Sequence, residues 1–449
     1  MLLAAAWKRL LAAGIVVAII WAAVLWVAPS TPSTAPAQPS VTVAGQAIPA
    51  PSSGTGLVRA VVTSGSPAPG GGYFDRFDVP SQPVVAPVNA RGQVAFYATV
   101  LRAPAREGIF LADAGHVTKM AAFGDSLPGG GTLAEFGTHP LPVLNAAGHV
   151  ALPRVLPVAA RRKAFSLSAR TGCNRSRLPA TTPRACLGRS SPHSNAPALN
   201  DNDDLAFVAT VRRGRDTLDV LYFWNGRRLQ RVVAEGDRLL RVGGTMDKIG
   251  EPALNNSGVI AFPATILKGP VLGGIFVAGA RDLRLLVGAG GQTLNGAMIQ
   301  RFSEHVGLDE DGDIAFGAYV SQNGKTHEAV LGIAVDNPIE IAVEGAVAPG
   351  GGRYAGFGPW PTMGFSGATA FVAALDGAVG PLGVFLGPVG DVKRVAAAGE
   401  SISQTEVLGH FVLNAVAAAG PAGVVTFATI GQEKGERTAI YCRCPTRAQ

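Results

Sequence analysis

The chain has 449 residues, 38 Lys and Arg against 31 Asp and Glu, and a net charge of +7. It is 47% hydrophobic and 15% charged, with 58 Gly and 32 Pro, so apolar residues suffice for a large core and turn formers are abundant. The basic balance comes with no aromatic–basic recognition motif, which excludes nucleic acid as an expected partner.

Lys8 and Arg9 precede an uncharged run from Leu10 to Ala28. That length is close to a bilayer span. The basic pair favours a cytoplasmic amino terminus, and Trp26 is placed for the far interface. Residues 1–28 are therefore expected to be a transmembrane signal anchor. A cleaved signal peptide is the alternative, since Ala35-Pro36-Ala37 loosely resembles a processing site. Residues 29–56 are rich in Pro, Ser, Thr and Ala and read as a semi-rigid tether. This reading places the rest of the chain, 57–449, outside the cytoplasm: periplasmic, on the cell surface, or secreted if the signal is cleaved.

One phrase then recurs seven times. The copies begin at Asn89 (NARGQVAF), Asn145, Asn200, Asn255, Asp309, Gly364 and Gly420, spaced by 54 to 56 residues. Each copy is a turn and a strand. Asn or Asp bonds its own backbone two residues on, and Gly three positions later accepts φ > 0. A β-branched apolar run follows, as in Val259-Ile260-Ala261-Phe262. Nineteen residues after each anchor comes a second apolar run, such as Gly274-Ile275-Phe276. A third run ends in a Gly–acid turn, as at Asp125, Asp237 and Glu400. A Pro/Gly-rich connection and a last short run complete the unit.

Four short strands per unit, with no helical period between them, predict the blade of a β-propeller. LVRAVVTSG, from Leu57 to Gly65, matches the end of a unit, while the last unit stops after RTAIYCR at Arg443. The predicted fold is therefore all-β: a seven-bladed β-propeller closed by the N-terminal strand joining the last blade, preceded by one transmembrane or signal helix. An open β-solenoid gives no reason to split one unit between the termini.

Cys173 and Cys186 bracket part of the second unit and are expected to form a disulfide in an exported chain. Cys442 and Cys444 are left with three options: each other, a metal, or free thiols.

Charges sort by loop. The loops between second and third strands carry Arg161, Arg162, Arg212 and Arg213, with further Arg and Lys in other units. The opposite face carries the acidic turns. A basic rim of this kind suits an unidentified protein or an anionic polymer, glycan or lipid headgroup. Solubility alone is the plainer explanation of the same charges. Asp309, Asp311 and Asp313 alternate in a Gly-containing turn and suggest calcium. The twelfth position holds Val320 instead of an EF-hand Glu, and a solvated turn explains the acids equally. No cofactor is otherwise expected.

His139, His193, His305 and His410 lie near the first, innermost strands, and Trp360 has a comparable place. Such histidines can hold a metal or supply an acid–base pair, although structural roles account for them as well. There is no G-x-S-x-G, no H-E-x-x-H and no phosphate-binding loop.

The pattern N-x-x-G-x-[VI]-A-F-x-A, with G-I-F and G-D-x-x-P-G-G-G between copies, resembles exported tandem-repeat proteins of bacteria. The resemblance covers most of residues 57–443. It implies a propeller and carries no established activity. The reading is a membrane-tethered, extracytoplasmic, monomeric binding or scaffold module, more binder than enzyme. The alternative is a hydrolase or lyase working at the mouth of the central channel.

Overall fold

The computed structural model describes residues 58–444, apart from 79–83, 127–131, 134–135, 137–140, 155–163, 169–195, 214–215, 280–281, 334–336, 365–366, 379, 404–405, 412–415, 421–422 and 432–437. Among the described residues every regular element of length is a β-strand, and there is no α-helix. The strands form antiparallel sheets, one per repeat. Six of these sheets have four or more strands. The second unit contributes three: Val143–Leu144, Val150–Arg154 and Ala164–Ser168.

The expectation of seven equal four-stranded blades is therefore corrected. The molecule is a β-propeller with six complete blades, and its second repeat builds a smaller sheet among the described residues. Its departure has a sequence correlate. Every other unit has at least one aromatic residue at this cross-strand position, Phe facing Phe, Tyr or Leu, whereas this one sets Leu152 against Ser166. The expected helix over residues 1–28 and the tether over 29–56 lie outside the described residues.

The repeat phrase is explained by its contacts. In the first copy Asn89 Oδ1 accepts from the N–H groups of Arg91 and Gln93 at 3.0 and 3.1 Å. Gly92, at φ +73°, supplies the left-handed step that an L side chain resists. The strand that follows, Val94–Leu101, is buried along nearly its whole length. It reads as a continuous apolar run because both of its faces are packed.

The recurring Phe residues meet across strands. Phe96 faces Phe110, Phe262 faces Phe276, and Phe371 faces Phe385 in register. Their rings stack at 5.4 to 5.7 Å between centroids. In the last blade Phe427 faces Tyr441 in the same way. Each such pair adds about 0.5–1.5 kcal/mol beyond burial.

The anchors also join one blade to the next. Asn89 Nδ2 donates to the Asn145 carbonyl at 2.9 Å. Asn145 donates to Asn200, Asn200 to Asn255, and Asn255 to Asp309. Asp309 has no amide to donate. Its Oδ2 instead accepts from the Gly367 N–H at 3.0 Å. At the termini, Val58–Thr63 pairs antiparallel with Ala439–Arg443, so the first described strand completes the sheet of the last unit.

Candidate active site on the inner ring

The first strands of successive units adjoin one another and line the axis. Val416 N–H donates to the Val84 carbonyl at 3.1 Å, which links the last unit to the first. Thr362 Oγ1 donates to the Ala417 carbonyl and accepts from the Ala419 N–H. Backbones come close enough that a Cβ on Gly307 would lie 2.8 Å from the Met363 nitrogen.

The inner strands of the fourth, fifth and sixth units are interrupted by register shifts. In Met298–Leu308, Phe302 pairs with Ala318 and Val306 with Phe316. Ser303, Glu304 and His305 are thus left against Gly317 alone, and Ser303 Oγ accepts the Gly317 N–H at 3.1 Å. The unit before it is broken at the same place, with Gly250, Glu251 and Pro252 between paired segments. Bulges of this kind re-aim side chains.

Counting four residues back from each anchor gives Val85, Leu141, Ala196, Glu251, His305, Trp360 and Val416. Three consecutive members of this column touch. His305 Nδ1 lies 3.1 Å from Glu251 Oε2. The His305 ring stacks on Trp360 at 3.8 Å with an interplanar angle of 5°. Glu251 and His305 are buried, at 7% and 9% exposure. The backbone reinforces the pair, with Glu251 N–H donating to the Glu304 carbonyl at 3.2 Å.

The chemistry follows from these contacts. An ionised Glu251 can only accept, so the shared proton belongs on Nδ1 and the lone pair on Nε2. Among the described residues Nε2 has no protein partner, and it is not a sealed, orphaned atom. An imidazolium formed there is stabilised on one side by the carboxylate and on its face by the indole.

The other expected site residues divide. His139, His193, Arg161, Arg162, Cys173 and Cys186 lie outside the described residues. The backbone of His410 pairs with Ile430. Arg212 and Arg213 end the strand Leu205–Arg213, opposite Thr217 and Asp216. The loop face expected to be a basic rim also carries exposed apolar side chains, including Leu101, Leu240, Leu267, Leu272 and Leu294.

In the acidic turn Asp309 Oδ1 accepts from the N–H groups of Asp311 and Asp313, and Oδ2 from Gly367. Asp313 is held above the usual carboxylate range, by burial first and then by Asp309 and Asp311. No group of three or more ligating side chains is placed to hold a metal among the described residues. Cys442 and Cys444 are bonded to each other.

Glu251 escaped the sequence reading. Its signal was alignment of the phrase X-Pro-x-Leu-Asn, which sets Glu251-Pro252 over Leu141-Pro142 and Ala196-Pro197, with Trp360-Pro361 at the same offset from its anchor.

A family model described as a family of unknown function, DUF7453, matches residues 33–378. The chain belongs to that family. No curated protein sequence matches it. Among solved structures it is similar to the polysaccharide lyase Uly1, with 11% identity, 81% of this chain and 90% of that one covered, and a TM-score of 0.43. It is similar to an Aleuria aurantia lectin mutant in complex with Fucalpha1-6GlcNAc, at 9% identity, 72% and 97% coverage and a TM-score of 0.38. A Mycobacterium tuberculosis puromycin-hydrolyzing peptidase matches at 14% identity, 76% and 57% coverage and a TM-score of 0.35. At these scores none of the three bears on function.

The membrane-tethered binding module is corrected. Among the described residues no helix is long and apolar enough to cross a membrane. The membrane partner, the protein or anionic-polymer partner and the extracytoplasmic placement built on that tether are not carried forward.

Proposed function

We propose that this family member is a hydrolase or lyase whose reaction centre is the inner ring at the channel mouth. His305 is the general base, and Glu251 orients it. The observation that carries the reading is the buried Glu251–His305 pair, which fixes the imidazole tautomer and leaves Nε2 without a protein partner. Trp360 supports the ring from below its plane. His139 and His193 remain further candidates for the acid partner, and a bacterial source for the family belongs to the same proposal.

The reading is tested with 4-nitrophenyl acetate, a probe that accessible imidazole bases hydrolyse. The full chain turns it over above the buffer rate. His305→Ala returns the rate to that of buffer, and Glu251→Gln lowers it by about 10²-fold or more, the range for a disabled general base. Equal rates for all three proteins contradict the assignment. His139→Ala and His193→Ala run beside them, and a rate loss in either shows that it contributes to turnover.

A further inference from the structure

We propose a second ligand site, away from the inner ring, that binds an aliphatic carboxylate. It is a cleft of about 430 Å³ lined by Arg241, Val242, Pro270, Val271, Arg284 and Leu285. That volume lies within the range of small-molecule sites, which are mostly apolar with a few polar groups that set orientation. Four of the six lining residues are apolar, and the two polar ones are both arginines.

The blade that carries the cleft differs from the first and third units at its outer strand. In the first and third units the outer strand carries a cation six residues before an acid. Lys119 pairs with Asp125 at 2.7 Å and Arg231 with Asp237 at 2.5 Å. The corresponding positions here are Leu285 and Gly291. Leu285 thus stands where those two units have the cation of an ion pair. Leu240 and Leu272, 93% and 79% exposed, lie next in sequence to the lining residues Arg241 and Val271.

Charge then selects the head group. Arg241 is already paired with Asp282 at 3.3 Å. Arg284 has no acidic partner among the described residues. Its guanidinium offers a forked donor set that matches a carboxylate. An aliphatic chain covering Val242, Pro270, Val271 and Leu285, with its carboxylate on Arg284, satisfies both halves of the cleft.

The probe is sodium octanoate, titrated calorimetrically into the full chain. Binding is expected, with octan-1-ol at least tenfold weaker. Arg284→Gln weakens octanoate about tenfold or more. Asp282→Asn, which frees Arg241, strengthens it. The double change Leu285→Arg with Gly291→Asp rebuilds the sibling ion pair and abolishes binding. His305→Ala leaves octanoate binding unchanged, which separates this site from the inner ring. No heat above dilution, equal affinity for octan-1-ol, or an unaffected Arg284→Gln variant overturns the proposal.

Discussion

His305 shows how one residue type acquires different meanings by position. Four histidines were legible near the inner strands, but only His305 shares its offset from the anchor with two other chemically capable residues, Glu251 and Trp360. Adjacent members of that column are in contact distance, which converts a lone histidine into an oriented dyad. The sequence placed His305 and Trp360 at comparable points. It left out Glu251, because a carboxylate in a Pro-containing run reads as an ordinary loop residue until the bulge is known. Asp313 gives a separate test at this scale. Its folded pKa is raised, so its charged form is disfavoured in the native state. The stability penalty is absent below the unfolded carboxylate pKa, near 4, and grows as pH rises through the raised folded value. Asp313→Asn is therefore expected to raise the thermal midpoint at pH 7 and to leave it unchanged near pH 3. A midpoint difference that is equal at both pH values contradicts the raised carboxyl pKa of Asp313.

The N-x-x-G element was legible as a turn, and its second task was not. Asn at the anchor satisfies its own turn through Oδ1 and reaches the next unit through Nδ2, as Asn200 does toward Asn255 at 3.0 Å. Period and turn chemistry are local, and so visible in sequence, whereas a bond to a carbonyl 55 residues away needs the ring. Asn200→Ala strands a buried carbonyl and two turn N–H groups. It is expected to cost about 2–3 kcal/mol in urea unfolding, since each buried unsatisfied group costs about 1–3 kcal/mol. A loss below about 0.5 kcal/mol shows that the link contributes little. The inner-strand bulge was invisible for the opposite reason. It is a register slip against a partner strand, and no residue type marks it beyond Gly250 and the Pro that follows the column.

At the scale of the molecule, the repeat period and the split terminal unit were enough to predict a propeller, and equality of the blades was too simple an extrapolation. The second unit has no aromatic residue at the cross-strand position where each sibling has at least one, and its sheet is the smallest described. The expected membrane span rested on residues 10–28, which lie outside the described part of the chain. The strand Val58–Thr63 covers the edge of Ala439–Arg443. Deleting residues 58–63 exposes that edge, so the truncated chain is expected to unfold at lower urea and to aggregate. An unchanged midpoint contradicts a structural role for that strand. The central claim, however, is that the ring holds a working base. It is tested most directly by following the carbethoxylation of His305 with diethyl pyrocarbonate by mass spectrometry in the folded protein. The account predicts fast modification, several-fold slower in Glu251→Gln. Modification only after urea unfolds the chain, or at the same rate in Glu251→Gln, contradicts it.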